Sequence, residues 1–113
     1  MIYRVIILPL AEVDLERNAR WWSKHHSSVQ AQRWLDTVYE QLKSLANSPD
    51  TYALCIESGD FAFDIRDKFV GLGKRPSYRA IFTIQDEQVF VLSIRRSSQD
   101  AVTPDEVDIP SDS

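Results

Sequence analysis

Arg66, Arg79, Arg95 and Arg96, with Lys68 and the pair Lys74-Arg75, all fall in the second half of the chain. A guanidinium presents paired N–H donors in a planar fork that matches a phosphate or a carboxylate. Gathered on one surface, such groups would stabilise charge on a phosphoryl centre or hold an acidic partner. Whether they gather depends on the strands that carry them, because strand residues alternate between faces. In Tyr78–Ile84 the larger apolar set is Tyr78, Ala80, Phe82 and Ile84, which turns Arg79 the other way. In Gln88–Arg96 the apolar set is Phe90, Leu92 and Ile94, leaving Val89, Val91, Ser93 and Arg95 opposite. Paired residues share a face, so this pattern expects an odd-length connecting loop and places Ser93 or Arg95 across from Arg79. The alternation of Phe61, Phe63 and Ile65 adds Arg66 to the same face. Lys68 lies nearby, Arg96 at the strand end, and Lys74 and Arg75 in the adjoining loop. Like charges facing each other across strands cost roughly 0.2–1 kcal/mol per pair, and Asp64 is the one evident counter-ion. Solvated surface charges are the competing reading; the choice of arginine favours recognition of an anion or an acidic partner.

Other reactive residue types have plainer explanations. Cys55 is the single cysteine and has no separate histidine partner, since His25 and His26 are adjacent. Those histidines suit the negative end of a helix dipole. Trp22 and Trp34 fall on apolar helix stripes and are expected in the core, whereas Trp21 is expected at a helix flank or a partner surface. Gly71 and Gly73 lack the strand-to-helix setting of a phosphate loop. No cluster has metal-ligand spacing, and no cofactor is expected.

The positioning elements are readable in outline. Ile2–Leu8 is a β-prone run stopped by Pro9. Ala11, Leu15, Ala19 and Trp22 then recur at helical spacing, with acids early and Lys24, His25 and His26 late. Ser27 and Gln30 have capping-box spacing ahead of a second stripe, Ala31, Trp34, Leu35, Val38, Leu42, Leu45 and Ala46, closed by Asn47 and Pro49. Residues 48–59 are loop-like, and Tyr52–Ile56 has no clear assignment. The expected fold is α+β, in the order β-α-α-β-β-β, with a helical hairpin packed on one face of a small antiparallel sheet. Residues 1–100 form the domain, and 101–113 form an acidic tail that composition marks as disordered. The 113 residues carry a net charge of −4. Setting aside the tail acids Asp105, Glu106, Asp108 and Asp112 from the 17 acidic residues leaves 13 against 13 basic ones, so the body is neutral. The opening apolar run is too short to span a membrane and has no cleavage site. A single cysteine without an export signal makes a cytoplasmic location the expectation.

Several stretches, in order, resemble the RelE/ParE superfamily, the toxins of type II toxin–antitoxin (plasmid stabilisation) modules. They are Tyr3-Arg4-Val5-Ile6-Ile7, Ala11-Glu12-Val13-Asp14-Leu15, Trp21-Trp22, Ala31-Gln32-Arg33-Trp34, Leu45-Ala46-Asn47-Ser48-Pro49, Asp64-Ile65-Arg66, Tyr78-Arg79-Ala80-Ile81-Phe82 and Val89–Arg96. The resemblance reaches to about Asp100 and implies the helical hairpin on a sheet. It also implies growth arrest and neutralisation by a cognate antitoxin, in a toxin–antitoxin hetero-oligomer. The ParE-like branch poisons DNA gyrase, and the RelE-like branch cleaves messenger RNA on the ribosome. A ribonuclease would use Arg66 with Arg95 or Arg96 on the phosphate, yet it also needs groups to take and give a proton. Many relatives have a histidine where this chain has Arg96, and Ser97, Ser98, Gln99 and Asp100 supply no tyrosine or histidine after it. A neutral body also suits ribosomal RNA poorly. The resemblance therefore favours the ParE-like side, an inhibitor of a protein target rather than an enzyme. Its expected target- and antitoxin-binding residues are Arg66, Arg79, Arg95, Arg96, Lys68, Lys74, Arg75 and Trp21.

Overall fold

The computed structural model describes residues 2–96 and 101–107. The opening apolar run forms β1 (Arg4–Ile7), and Pro9, placed where its missing N–H costs nothing, starts α1 (Pro9–His25). The second helix, α2 (Ser28–Lys43), begins where the capping signal lies, with the Ser27 hydroxyl accepting from the Gln30 N–H at 3.1 Å. Its stripe of Ala31, Trp34, Val38 and Leu42 is buried. Three short 3₁₀ turns (Ser44–Ala46, Pro49–Thr51 and Ile56–Asp60) lead to β2 (Arg66–Val70). Then come β3 (Tyr78–Gln85) and β4 (Gln88–Arg96).

The four strands lie in the order β1-β4-β3-β2. The pairs β2–β3 and β3–β4 are antiparallel, but β1 runs parallel to β4. The sheet is therefore mixed rather than wholly antiparallel. A tight turn can join only antiparallel neighbours, and β1 reaches β4 through the helical hairpin and the two other strands, which imposes no such constraint. Both helices pack on one face, where Leu15, Trp34, Val38 and Leu42 meet Val70, Ala80, Phe82, Val89, Val91 and Ile94.

Three features differ from the expected pattern and together reset the faces. The strand expected around Phe61, Phe63 and Ile65 is a bent segment, and β2 begins only at Arg66. The loop between β3 and β4 has two residues, Asp86 and Glu87, since Gln85 pairs with Gln88. Asp86 takes a left-handed backbone (φ 57°), which a short polar side chain tolerates. The odd residue demanded by the apolar pattern is supplied instead by a bulge. Phe82 pairs with Val91 and Ile81 with Ser93, so Leu92 has no opposite number. Before the bulge Val89 and Val91 face the helices and Phe90 faces away; after it Ile94 faces the helices and Arg95 faces away.

The face away from the helices is not open. Leu8, Cys55, Ile65, Ile81, Phe90, Leu92 and Val102 form a second buried cluster on it. Residues 55–65 and the strap Ala101–Val107 cover it, with Val102 only 1% exposed. Part of the segment expected to be disordered therefore packs on the sheet, because Val102 is an apolar anchor within its acidic composition. Residues 108–113, the rest of that expected tail, lie outside the described residues.

Candidate functional site

Arg79 and Arg95 face each other directly across β3 and β4. Both are sequestered. The two terminal nitrogens of Arg79 donate to the two oxygens of Glu57, one at 3.0 Å, and Asp67 lies 3.8 Å away. Arg79 is 7% exposed and Glu57 6%. Glu57 also accepts the backbone N–H of Val102 at 3.1 Å, so the same carboxylate holds the strap. Arg95 donates to Glu106 of the strap at 2.6 Å and to the Ser93 hydroxyl at 2.6 Å. That hydroxyl in turn donates to Asp14 at 2.6 Å.

Asp14 is the hub behind this pair. It belongs to α1 but is 1% exposed, and it accepts the Ile94 N–H at 3.0 Å. β1 pairs with β4 only as far as Val91, so the carboxylate satisfies an edge N–H beyond the end of β1. Arg17 closes the network at 2.7 Å. Four carboxylates (Glu57, Asp67, Glu106 and Asp14) thus answer two arginines for which Asp64 was the expected counter-ion. Arg95 holds the Glu106 carboxyl below its ordinary range, while burial pushes the Asp67 carboxyl up against the opposing pull of Arg79.

Arg66 does not join them. β2 pairs Arg66 with Phe82 and Phe69 with Arg79, which puts Arg66 and Lys68 on the helix side of the sheet edge. The alternation of Phe61, Phe63 and Ile65 carries on into β2, but that apolar set packs on the face away from the helices, which leaves Arg66 on the helix side. Arg66 donates to the Tyr52 carbonyl. Lys68 donates to the Gln41 carbonyl at 3.0 Å and to the Ser44 hydroxyl, where a cation suits the carbonyl end of α2. Both residues hold their surroundings together.

The remaining candidates are accessible. Arg96 is exposed at the end of β4, its guanidinium 4.8 Å from the centre of the Trp21 ring and 5.8 Å from that of Tyr78. Tyr78 itself is buried, as its parity predicts. Trp21 is 36% exposed and stacks on His25 with ring centres 4.4 Å apart, and Trp22 stacks on His26 at 4.7 Å. Lys74 and Arg75 are exposed in the loop between β2 and β3. That loop is anchored where Gly71 donates to the Gln41 side chain at 2.8 Å and accepts from it at 3.3 Å. Gly71 has φ 125°, and a Cβ there would lie 3.5 Å from Tyr78 and 3.6 Å from Trp34, so a side chain is strained. Cys55 is buried and its thiol is pushed up to about 11, first by burial and then by Glu57 and Asp67, which makes it a poor nucleophile. Among the described residues, no group of three histidine, cysteine or acidic side chains has a metal-binding arrangement. No described helix is long and apolar enough to cross a membrane.

The family model described as ParE toxin of type II toxin-antitoxin system, parDE, matches residues 5–101. The chain belongs to the ParE toxin family. No curated protein sequence matches this ParE-family chain. Among solved structures it is similar to one titled "Chromosomal ParDE TA system from P. aeruginosa", at 17% identity with a TM-score of 0.69. The match covers 84% of this chain and 96% of the other. At that identity the likeness bears on the fold, two helices on a four-stranded sheet, and the family match supplies the type II toxin assignment. Glu57, Asp14 and Glu106, central to the observed arginine network, were not among the sequence candidates. Asp14 alone left a trace, as an acid three residues after Ala11 on the inward stripe of α1.

Proposed function

We propose that this toxin arrests growth by binding and inhibiting a protein target, DNA gyrase being the one that the ParE-like resemblance implies, and that a cognate antitoxin neutralises it. The observation that supports this reading is the exposed cation–aromatic edge of Arg96 on Trp21, beside the Lys74-Arg75 loop. Tryptophan and arginine are the residue types most often dominant in protein interfaces, and a stacked pair is already ordered before binding. Of the arginines that a ribonuclease would use on the phosphate, Arg66 donates to the Tyr52 carbonyl and Arg95 is paired with Glu106 of the chain itself.

The test is a supercoiling assay with purified protein beside induction in cells. Wild type is expected to inhibit gyrase at concentrations comparable to those that halt growth. Trp21→Ala and Arg96→Ala are each expected to raise the inhibitory concentration about tenfold or more, on the scale of interface hot spots. Unaffected supercoiling with new transcript ends after induction would instead establish a ribonuclease. Harmless overproduction without an antitoxin would establish a non-toxic binding module.

A further inference from the structure

Arg96 differs from the other arginines of β3 and β4 in the neighbour it is given. Arg79 and Arg95 each meet carboxylates of the chain, whereas among the described residues none pairs with Arg96. Its guanidinium lies over the Trp21 ring and beside Tyr78 instead. An aromatic support orders a cation without neutralising it, and contact through the flat face leaves the in-plane N–H donors free. Trp21 is itself held in place. The His25 Nδ1–H donates to the Trp21 carbonyl at 2.9 Å, since a carbonyl only accepts, and the imidazole stacks on the indole at 18°. The surroundings carry one sign of charge. Residues 20–26 at the end of α1, residues 71–78 leading into β3, and the end of β4 contribute Arg20, Lys24, Lys74, Arg75 and Arg96, and no carboxylate. All five cations are exposed, and none makes an ion pair among the described residues. These segments meet at one end of the sheet, because Tyr78 pairs with Arg96 and Arg96 reaches Trp21.

From this edge we infer that the toxin grips its target through an acidic segment of that protein, with one carboxylate in the plane of the Arg96 guanidinium and further acidic side chains over Lys74 and Arg75. The inference rests on the reading of a protein target and names the chemistry of its contact. A carboxylate matches the fork of N–H donors that stacking leaves exposed, and it supplies the counter-charge that the chain provides for Arg79 and Arg95 but not here. A nucleic-acid strand suits the edge less well. Bases need open ring faces to stack on, and both indoles at this end already carry the chain's own histidines, Trp21 with His25 at 4.4 Å and Trp22 with His26 at 4.7 Å. A net charge of −4 also opposes a phosphate backbone that runs on beyond this one edge.

The test reads binding and inhibition separately. An acetylated and amidated oligoglutamate peptide, titrated into the full chain, should give saturable NMR shifts at the Arg96 Nε–H and the Trp21 indole N–H. Its oligoglutamine counterpart should leave both unmoved, and salt at about 1 M should suppress the shifts. Arg96→Lys keeps the charge but loses the fork, and should weaken peptide binding about tenfold. Lys43→Gln, which removes a surface cation already facing Glu40, should leave binding unchanged. In supercoiling assays Arg96→Lys should raise the inhibitory concentration by about the same factor as it weakens the peptide. Peptide binding at Arg96 with supercoiling untouched by wild type would remove gyrase as the target and keep the acid-binding edge. Inhibition of gyrase that Arg96→Lys leaves unchanged would overturn the inference and keep gyrase as the target. The inference also fails if the peptide does not shift Arg96, or if an oligothymidylate of equal charge binds this edge more tightly than the peptide does.

Discussion

At the scale of single residues, the balance of the molecule rests on carboxylates placed against arginines out of water. A buried pair is not a large net source of stability, but removing one member strands a charge, at a cost of about 3–5 kcal/mol. Glu57→Ala is therefore expected to lower unfolding free energy by that order in urea titration, whereas the double change Glu57→Leu with Arg79→Leu should recover much of it. Asp67→Asn should cost far less, since burial already disfavours its charged form. Asp14→Ala leaves the Ser93 hydroxyl and the Ile94 N–H without their acceptor, each a loss of about 1–3 kcal/mol. The Glu106 carboxyl, held low by Arg95, sets a pH dependence of definite sign. A carboxylate with a depressed value contributes its stabilisation above the ordinary range, near 4.3, and loses it as the pH falls through the depressed value. The Val102 amide signal of the closed strap should hold from pH 7 to about 4.5 and fade below. Cys55, buried with its thiol pushed up to about 11, should resist a thiol reagent at neutral pH until the chain is unfolded.

At the scale of elements, the helices and the last two strands were legible because each rests on a local period. The Ser27 cap and the stripe from Ala31 to Leu42 need nothing from elsewhere in the chain, and the structure reproduces them. The faces of the sheet were not legible, because one residue reverses them. The alternation of Phe61, Phe63 and Ile65 mimics a strand, but those residues pack from a bent segment on the face away from the helices, opposite to the face their apolar character suggests. Likewise, nothing in Val89–Arg96 announces that Leu92 stands outside the ladder, nor does local pattern tie Glu57 to Arg79 across 22 positions. Apolar residues occupy both faces of β4, so its period carries no parity signal. Deleting Leu92 makes the point testable. With the bulge gone, Val91, Ser93, Ile94 and Arg95 keep their partners on β3 and their faces, so circular dichroism should show cooperative melting retained at a lowered temperature, as for Leu92→Ala.

At the scale of the whole molecule, a neutral body with an acidic extension was a fair reading of composition, yet the extension does not simply trail away. Its first residues answer the arginines of the sheet, so the charge imbalance between body and tail is partly settled inside the fold. What remains outward is a cation–aromatic edge at one end, where α1 finishes beside β4. Sequence reasoning grouped these basic residues on one surface, whereas the fold divides them among three settings. Arg79 and Arg95 hold the structure, Arg66 and Lys68 brace the sheet edge, and Arg96 with Lys74 and Arg75 faces solvent.

The parallel pairing of β1 with β4 also sets a schedule for biosynthesis. Among the described strands β1 comes earliest in the chain, and the strand it pairs with is the latest. Until Gln88–Arg96 has emerged, the opening strand has no ladder to join and α1 has no β4 to cover. Contacts so distant along the chain also make folding slow compared with a local helical bundle. Nascent chains stalled before β4 clears the exit tunnel should therefore be digested rapidly by protease, and chains stalled after it should be protected. The toxin would then be assembled as a post-translational event, in a single late step.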